Sequence, residues 1–88
     1  MITVCFDVDG TLVDFFTDKP RYDIIALFHC FERRKCKMFI WSHRGLEHAK
    51  ETAQRLNLNA QCVEKYSFFP DIAVDDEDRG IARVVIPS

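Results

Sequence analysis

Apolar and polar positions alternate along the chain in short blocks. The first block holds Ile2, Val4, Cys5, Phe6 and Val8, and it reads as a strand from roughly Ile2 to Val8, buried on both faces. Gly10 breaks it, and Gly10 to Lys19 reads as irregular. Pro20 is well placed near a helix start. Ile24, Leu27, Phe28 and Phe31 recur at helical spacing and predict a helix from Arg21 to about Arg34. Lys37 to Trp41 is a second apolar strand. Leu46, Ala49, Ala53 and Leu56 form the apolar stripe of a second helix that follows Gly45, with Asn57 and Asn59 at its end. Ala60 to Glu64 predicts a short third strand. Ile72 to Val74, after Pro70, predicts a fourth, and Ile81 to Ile86 a fifth. The chain has no repeats and no low-complexity segment.

Strands alternating with helices argue for an α/β fold with a parallel sheet built from βαβ units. In such sheets ligands sit beyond the carboxyl ends of the strands. Asp7 and Asp9 fall where the first strand should end, and Asp75-Asp76 where the fourth should end. Neighbouring carboxylates repel unless a cation or a shared proton relieves them. A hard, oxygen-seeking ion such as Mg²⁺ meets that need and commonly accompanies a phosphate. Asp-x-Asp-Gly also occurs in solvated turns and opens calcium loops. A calcium loop wants further oxygen ligands at fixed spacing, which Val13, Phe15 and Phe16 do not supply.

The segment Phe6-Asp7-Val8-Asp9-Gly10-Thr11-Leu12 resembles the first motif of the haloacid dehalogenase (HAD) phosphatase superfamily. That family has a Ser or Thr after its next strand, matched by Met38-Phe39-Ile40-Trp41-Ser42. It has a Lys or Arg ahead of the last catalytic strand, best matched by Lys65. It has an acidic pair after a further strand, matched by Ile72-Ala73-Val74-Asp75-Asp76. The four matches run in family order from Ile2 to Asp76. Motifs I and IV are specific; the Ser and the Lys are weaker signals. The resemblance implies a minimal Rossmann-like parallel sheet of order 5-4-1-2-3, with Asp7, Asp9, Ser42 and Asp75 at one edge.

The resemblance also implies a Mg²⁺-dependent phosphatase. Asp7 would be the nucleophile and form an aspartyl-phosphate. Asp9 would be the general acid and base. Asp7, Asp9 through its backbone carbonyl, Asp75 and Asp76 would hold Mg²⁺, Asp76 directly or through one water. Ser42 and nearby backbone N–H groups would hold phosphate oxygens, and Lys65 would balance charge on nucleophile and phosphate. The alternative is a catalytically idle or slow-turnover binding domain that retains the motifs.

Plainer roles stand beside these. Ser42 suits capping of the second helix, and the two roles are compatible. Lys65 also reads as a solvated surface lysine. Asp75 and Asp76 also read as the start of an acidic turn with Glu77 and Asp78. His43, beside Ser42, reads as a substrate contact or as an exposed histidine. His29 and His48 lie in the predicted helices and receive no role, and Trp41 reads as core.

Size narrows the picture. Eighty-eight residues make one domain, 1–88. A chain this short buries only about 60–65% of its unfolded surface. Eight Phe and 48% hydrophobic residues help a small core. Leu12 to Lys19 is too short for the cap domain many HAD relatives carry, so the expected form is capless with an open site. Leu12, Val13, Phe15 and Phe16 then line the site or pack beneath its loop. An open site suits a phosphate on a large or exposed substrate of unspecified class, or a second copy of the chain as lid.

The third and fourth strands would stand three positions apart, about 14 Å at ~4.8 Å per strand. Tyr66 to Asp71 just span this at about 3.3 Å per residue. An extended link is therefore expected instead of a crossover helix, with Phe68 and Phe69 on one sheet face. The last strand's direction is left open. Net charge −2 and pI near 5.8 carry no strong nucleic-acid signal. Arg33-Arg34-Lys35 with Lys37 suits a helix end. No membrane span and no signal peptide are apparent, so a cytoplasmic location with reduced thiols is expected. Cys5, Cys30, Cys36 and Cys62 lack Cys-x-x-Cys spacing and read as small core hydrophobes rather than zinc ligands.

Overall fold

Residues 3 to 8 alternate between two sheet faces, and each face finds its own cover. In a computed structural model, which describes residues 1–77 and 79–88, the elements are β1 (Thr3–Asp7), α1 (Tyr22–Arg33), β2 (Lys37–Trp41), α2 (Leu46–Arg55), β3 (Gln61–Cys62), β4 (Ile72–Asp75) and β5 (Val84–Pro87). They form an α/β fold with one five-stranded sheet of order β3-β2-β1-β4-β5, parallel throughout. Val4, Phe6 and Val8 join Met38 and Ile40 in a core with Ile24 and Phe28 of α1 and Ala49 and Ala53 of α2. Both helices therefore cover the same face. Cys5, Phe39 and Trp41 point the other way. Among the described residues no helix covers them; Phe68, from the β3–β4 link, packs on Phe39 and Trp41 with ring centroids 4.6 and 5.9 Å apart.

The helices stop for local reasons. After α1, Lys35 takes a left-handed φ of 64°, and the Lys35 and Cys36 N–H groups donate to Glu32 and Phe31 carbonyls. After α2, Asn57 at φ 56° does the same, with Asn57 and Leu58 donating to Gln54 and Ala53. Both are Schellman closures, which satisfy carbonyls the helix end would otherwise leave bare.

Several expectations need correction. β3 spans two residues rather than Ala60 to Glu64. It is an edge strand with a partner on one side only, so nothing extends its ladder. β5 begins at Val84 rather than Ile81 and runs parallel to β4. Its edge place tolerates Pro87. The β3–β4 link has no helix, as its length demands. Phe68 covers the sheet, but Phe69 is 61% exposed and does not. Of the cysteines only Cys5 is fully buried; Cys30, Cys36 and Cys62 are half-buried. Leu12 and Val13 are core, whereas Phe15 and Phe16 are exposed. Asp78 of the expected acidic turn lies outside the described residues. Among those described, no helix is long and apolar enough to cross a membrane.

Candidate functional site

Parallel register places the acidic residues together. Cys5 pairs with Ala73 and Phe6 with Val74, so Asp7 and Asp75 come next, side by side, at the carboxyl ends of the central strands. Carboxylate oxygens of Asp7, Asp75 and Asp76 lie within 4.8 Å of one another. Asp7 and Asp75 are buried and Asp76 is exposed. The β3–β4 link crosses the helix-free face and delivers Lys65 to the pair. Its Nζ lies 3.2 Å from Asp7 Oδ1, 3.3 Å from Asp75 Oδ2 and 3.8 Å from Glu77 Oε2. The lysine side chain is buried, so it is not a solvated surface residue.

The charges are not balanced. Burial, then repulsion from Asp75, pushes the Asp7 carboxyl up to about 7 against the pull of Lys65. Burial likewise raises Asp75. Burial disfavours the Lys65 cation, but Asp7 and Asp75 outweigh it and hold its pKa above the ordinary lysine value. With Asp7, Asp75, Asp76 and Lys65 ionised, three carboxylates and one ammonium leave two negative charges unmatched, before Glu77 at 3.8 Å from Lys65 is counted. Asp75 Oδ1 accepts the Glu77 N–H at 2.9 Å, while the buried Oδ2 receives no aligned hydrogen bond. An all-oxygen donor set, two surplus charges and an unsatisfied buried oxygen fit a hard divalent cation such as Mg²⁺. Gly10 makes room for this grouping: a Cβ there would stand 2.6 Å from Asp76 Oδ2, and its φ of +82° is left-handed.

Asp9 stands apart from the three. Its Oδ2 lies 3.2 Å from His48 Nε2 and its Oδ1 3.7 Å from Arg44 Nη1. The carboxylate thus faces the start of α2. Neither partner was assigned from the sequence. A signal existed: α2 begins right after the carboxyl end of β2, so its first turn, which includes His48, must border the acidic edge.

Ser42 is buried. Its Oγ accepts the Arg44 N–H at 3.0 Å and tightens the turn into α2. It does not cap the helix; the N-cap is Gly45, with no side-chain bond. A cavity of about 330 Å³ is lined by Asp7, Asp9, Phe15, His43, Arg44 and Asp76. Ser42 and Lys65 are not among its lining residues, though they adjoin His43 and Asp7, which are. His43 borders a second cavity of about 550 Å³ with Tyr66, Glu77, Arg79 and Ile81. Tyr66 donates to Glu77, and its oxygen is 3.2 Å from His43 Nε2. His29 lies away from the edge, 3.0 Å from Glu32 on α1.

The motif loop is pinned from outside. Ser88 Oγ donates to the Gly10 carbonyl at 2.8 Å, Arg21 Nη1 donates to the same oxygen at 3.3 Å, and Thr11 Oγ1 donates to Ser88 Oγ at 3.0 Å. Such bonds fix the path of Asp9-Gly10 against the sheet edge.

Comparison with protein-family models, curated proteins and solved structures returns no match.

Proposed function

We propose that the chain is a Mg²⁺-dependent phosphomonoester hydrolase that works through an aspartyl-phosphate on Asp7. The observation that carries this reading is the grouping of Asp7, Asp75 and Asp76 around a buried Lys65 at the carboxyl edge of a parallel sheet. The strand order, with β1 and β4 adjacent, supports the HAD resemblance on which the roles rest.

Asp7, Asp75 and Asp76 would hold Mg²⁺, which when bound neutralises substrate phosphate charge beside the nucleophile. An Asp7 oxygen attacks phosphorus, and the ester P–O bond breaks with its electron pair passing to the leaving oxygen. Asp9 gives that oxygen a proton. Water then attacks the phosphoryl group and yields its proton to Asp9. The Asp7–phosphorus bond breaks, returning the carboxylate and releasing phosphate. Lys65, at 3.2 Å, stabilises the ionised nucleophile that this sequence requires. His43 and Arg44, on the cavity wall, are within reach of the substrate. Ser42 Oγ accepts one bond and keeps its own proton to donate toward a phosphate oxygen. The four free thiols suit a reducing compartment such as the cytoplasm.

The test is hydrolysis of an aryl phosphate with Mg²⁺, wild type beside Asp7→Asn. Turnover lost in the variant supports the reading. Equal rates would remove Asp7 as nucleophile. No turnover on a broad phosphoester panel, with Mg²⁺ binding intact, would favour an idle binding domain.

A further inference from the structure

His48 is a half-buried histidine that no motif calls for, yet it touches the carboxylate on which proton transfer depends. We propose that His48 is the positioning residue for Asp9, holding the general acid and base at the cavity edge so that its proton reaches the leaving oxygen. This rests on the phosphatase reading above.

Three observations converge. His48 Nε2 lies 3.2 Å from Asp9 Oδ2, and both side chains are mostly shielded, 16% and 18% exposed. Nε2 is buried and makes no aligned hydrogen bond among the described residues, so the Asp9 carboxylate at 3.2 Å is the polar contact that meets it. A buried ring nitrogen without an aligned partner, set against a carboxylate, is poised to donate to it when Asp9 turns toward the ring. The backbone also gives the ring little latitude. His48 directly precedes the buried Ala49 on α2, whose Ala49 and Ala53 belong to the core with residues of β1 and β2. A histidine on a packed helix is a stiffer support than the exposed Arg44, which is 65% exposed and 3.7 Å from the other Asp9 oxygen. Asp9 itself lies beyond the strand end in a turn whose backbone is held by the bridge to Val13 and the bonds to the Gly10 carbonyl, but those bonds do not orient its side chain. Without a support on α2, its carboxylate has other rotamers open to it.

A support of this kind has a distinct kinetic consequence. General-acid help matters most when the leaving oxygen is a poor leaving group. Loss of Asp9 alignment should therefore harm phenyl phosphate far more than 2,4-dinitrophenyl phosphate, whose leaving oxygen needs little protonation. A merely structural fault would slow both alike. It would also weaken capture of a phosphate mimic on Asp7, which misalignment of Asp9 would not.

The experiment compares wild type, His48→Leu and His48→Gln on the two esters with Mg²⁺, with melting temperatures taken in parallel. Gln restores an N–H donor near the Nε2 position. His48→Leu should lower kcat on phenyl phosphate by about 10–100-fold, with KM little changed and the dinitrophenyl ester slowed less than about threefold. His48→Gln should recover much of the loss. Beryllium fluoride binding should be kept in both. In an Asp9→Asn background, His48→Leu should add no further loss. Equal slowing of both esters, or an additive loss in the double variant, would overturn the role; if His48→Leu does not fold, His48→Gln and the Asp9→Asn cycle with Gln decide it. Wild-type turnover with an unimpaired His48→Leu removes the His48 role alone. A wild type that hydrolyses neither ester removes the phosphatase reading and this role with it.

Discussion

Lys65 Nζ rests 3.2 Å from Asp7 Oδ1, although the two residues lie 58 positions apart in the chain. The same ammonium is 3.3 Å from Asp75 Oδ2, so it offsets part of the repulsion between two buried carboxylates. Lys65→Met keeps the length of the stem and removes the charge. The acidic edge then gains one more unmatched negative charge. Mg²⁺ should bind more tightly, on the order of tenfold or more for a unit charge at this range. Turnover should nonetheless fall about 10²–10³-fold, because a charge that stabilises the reacting oxygens is lost. Melting temperature followed across a Mg²⁺ titration measures the first effect through linkage. Weaker Mg²⁺ binding in the variant would contradict this account of Lys65.

The raised Asp7 carboxyl makes a pH prediction for the metal-free protein. Its folded-state value is about 7 against an ordinary 3.8, because burial and Asp75 disfavour the charged form. Between those values the folded state binds more protons than the unfolded state. Stability held in chelator should therefore be greatest below about pH 4 as far as this group is concerned, and should fall as pH rises toward 7. Asp7→Asn cannot ionise there and should flatten that slope. Denaturant unfolding at a series of pH values checks both, and an unchanged slope in Asp7→Asn would assign the effect to another group.

Much of this arrangement was legible in the sequence, and the parts that were not have physical causes. Continuous apolar runs mark the strands, and Lys37 to Trp41 has its observed bounds because both faces of that strand are buried. Asp7 and Asp75 were readable as strand-end carboxylates for the same reason. The sheet order was not available from periodicity, which says nothing about neighbours; it came only with the resemblance. β3 was read too long because its partner on one side is solvent, a fact of topology rather than of composition. Phe68 and Phe69 look alike in sequence, but only Phe68 finds Phe39 and Trp41 beneath it. The start of α2 after β2 is enough to bring His48 to the acidic edge, but its contact with Asp9 joins a helix to a distant turn, and no local pattern names that partner.

Gly10 should tolerate no side chain. Its φ of +82° is costly for other residues, and an added Cβ would meet Asp76 Oδ2 at 2.6 Å. The left-handed conformation alone costs about 1–2 kcal/mol. Gly10→Ala should therefore destabilise the protein by at least that much and push Asp76 away from Asp7 and Asp75, weakening Mg²⁺ binding. Gly45, which has nothing within 4 Å of a built Cβ but a φ of +101°, separates the two effects. Gly45→Ala should carry the backbone cost while leaving Mg²⁺ affinity near wild type. Equal loss of affinity in the two variants would show that strain, not the clash with Asp76, is responsible.

Phe15 and Phe16 test how open the candidate site is. Their rings meet edge to face at 5.3 Å, and they are 65% and 91% exposed. Only Phe15 lines the cavity that holds Asp7 and Asp9. An aromatic leaving group held in that cavity should touch the Phe15 ring and not that of Phe16. Phe15→Ala should raise KM for aryl phosphates by about 3–10-fold, the effect of losing roughly 1 kcal/mol of apolar contact. Phe16→Ala should leave KM unchanged in the monomer. If two copies close over each other's site through this exposed pair, both variants should instead shift sedimentation toward the monomer and lower specific activity at low protein concentration. Sedimentation and activity measured over one concentration series separate these outcomes. A concentration-independent monomer in which neither variant alters KM would remove this face from substrate binding and from assembly alike.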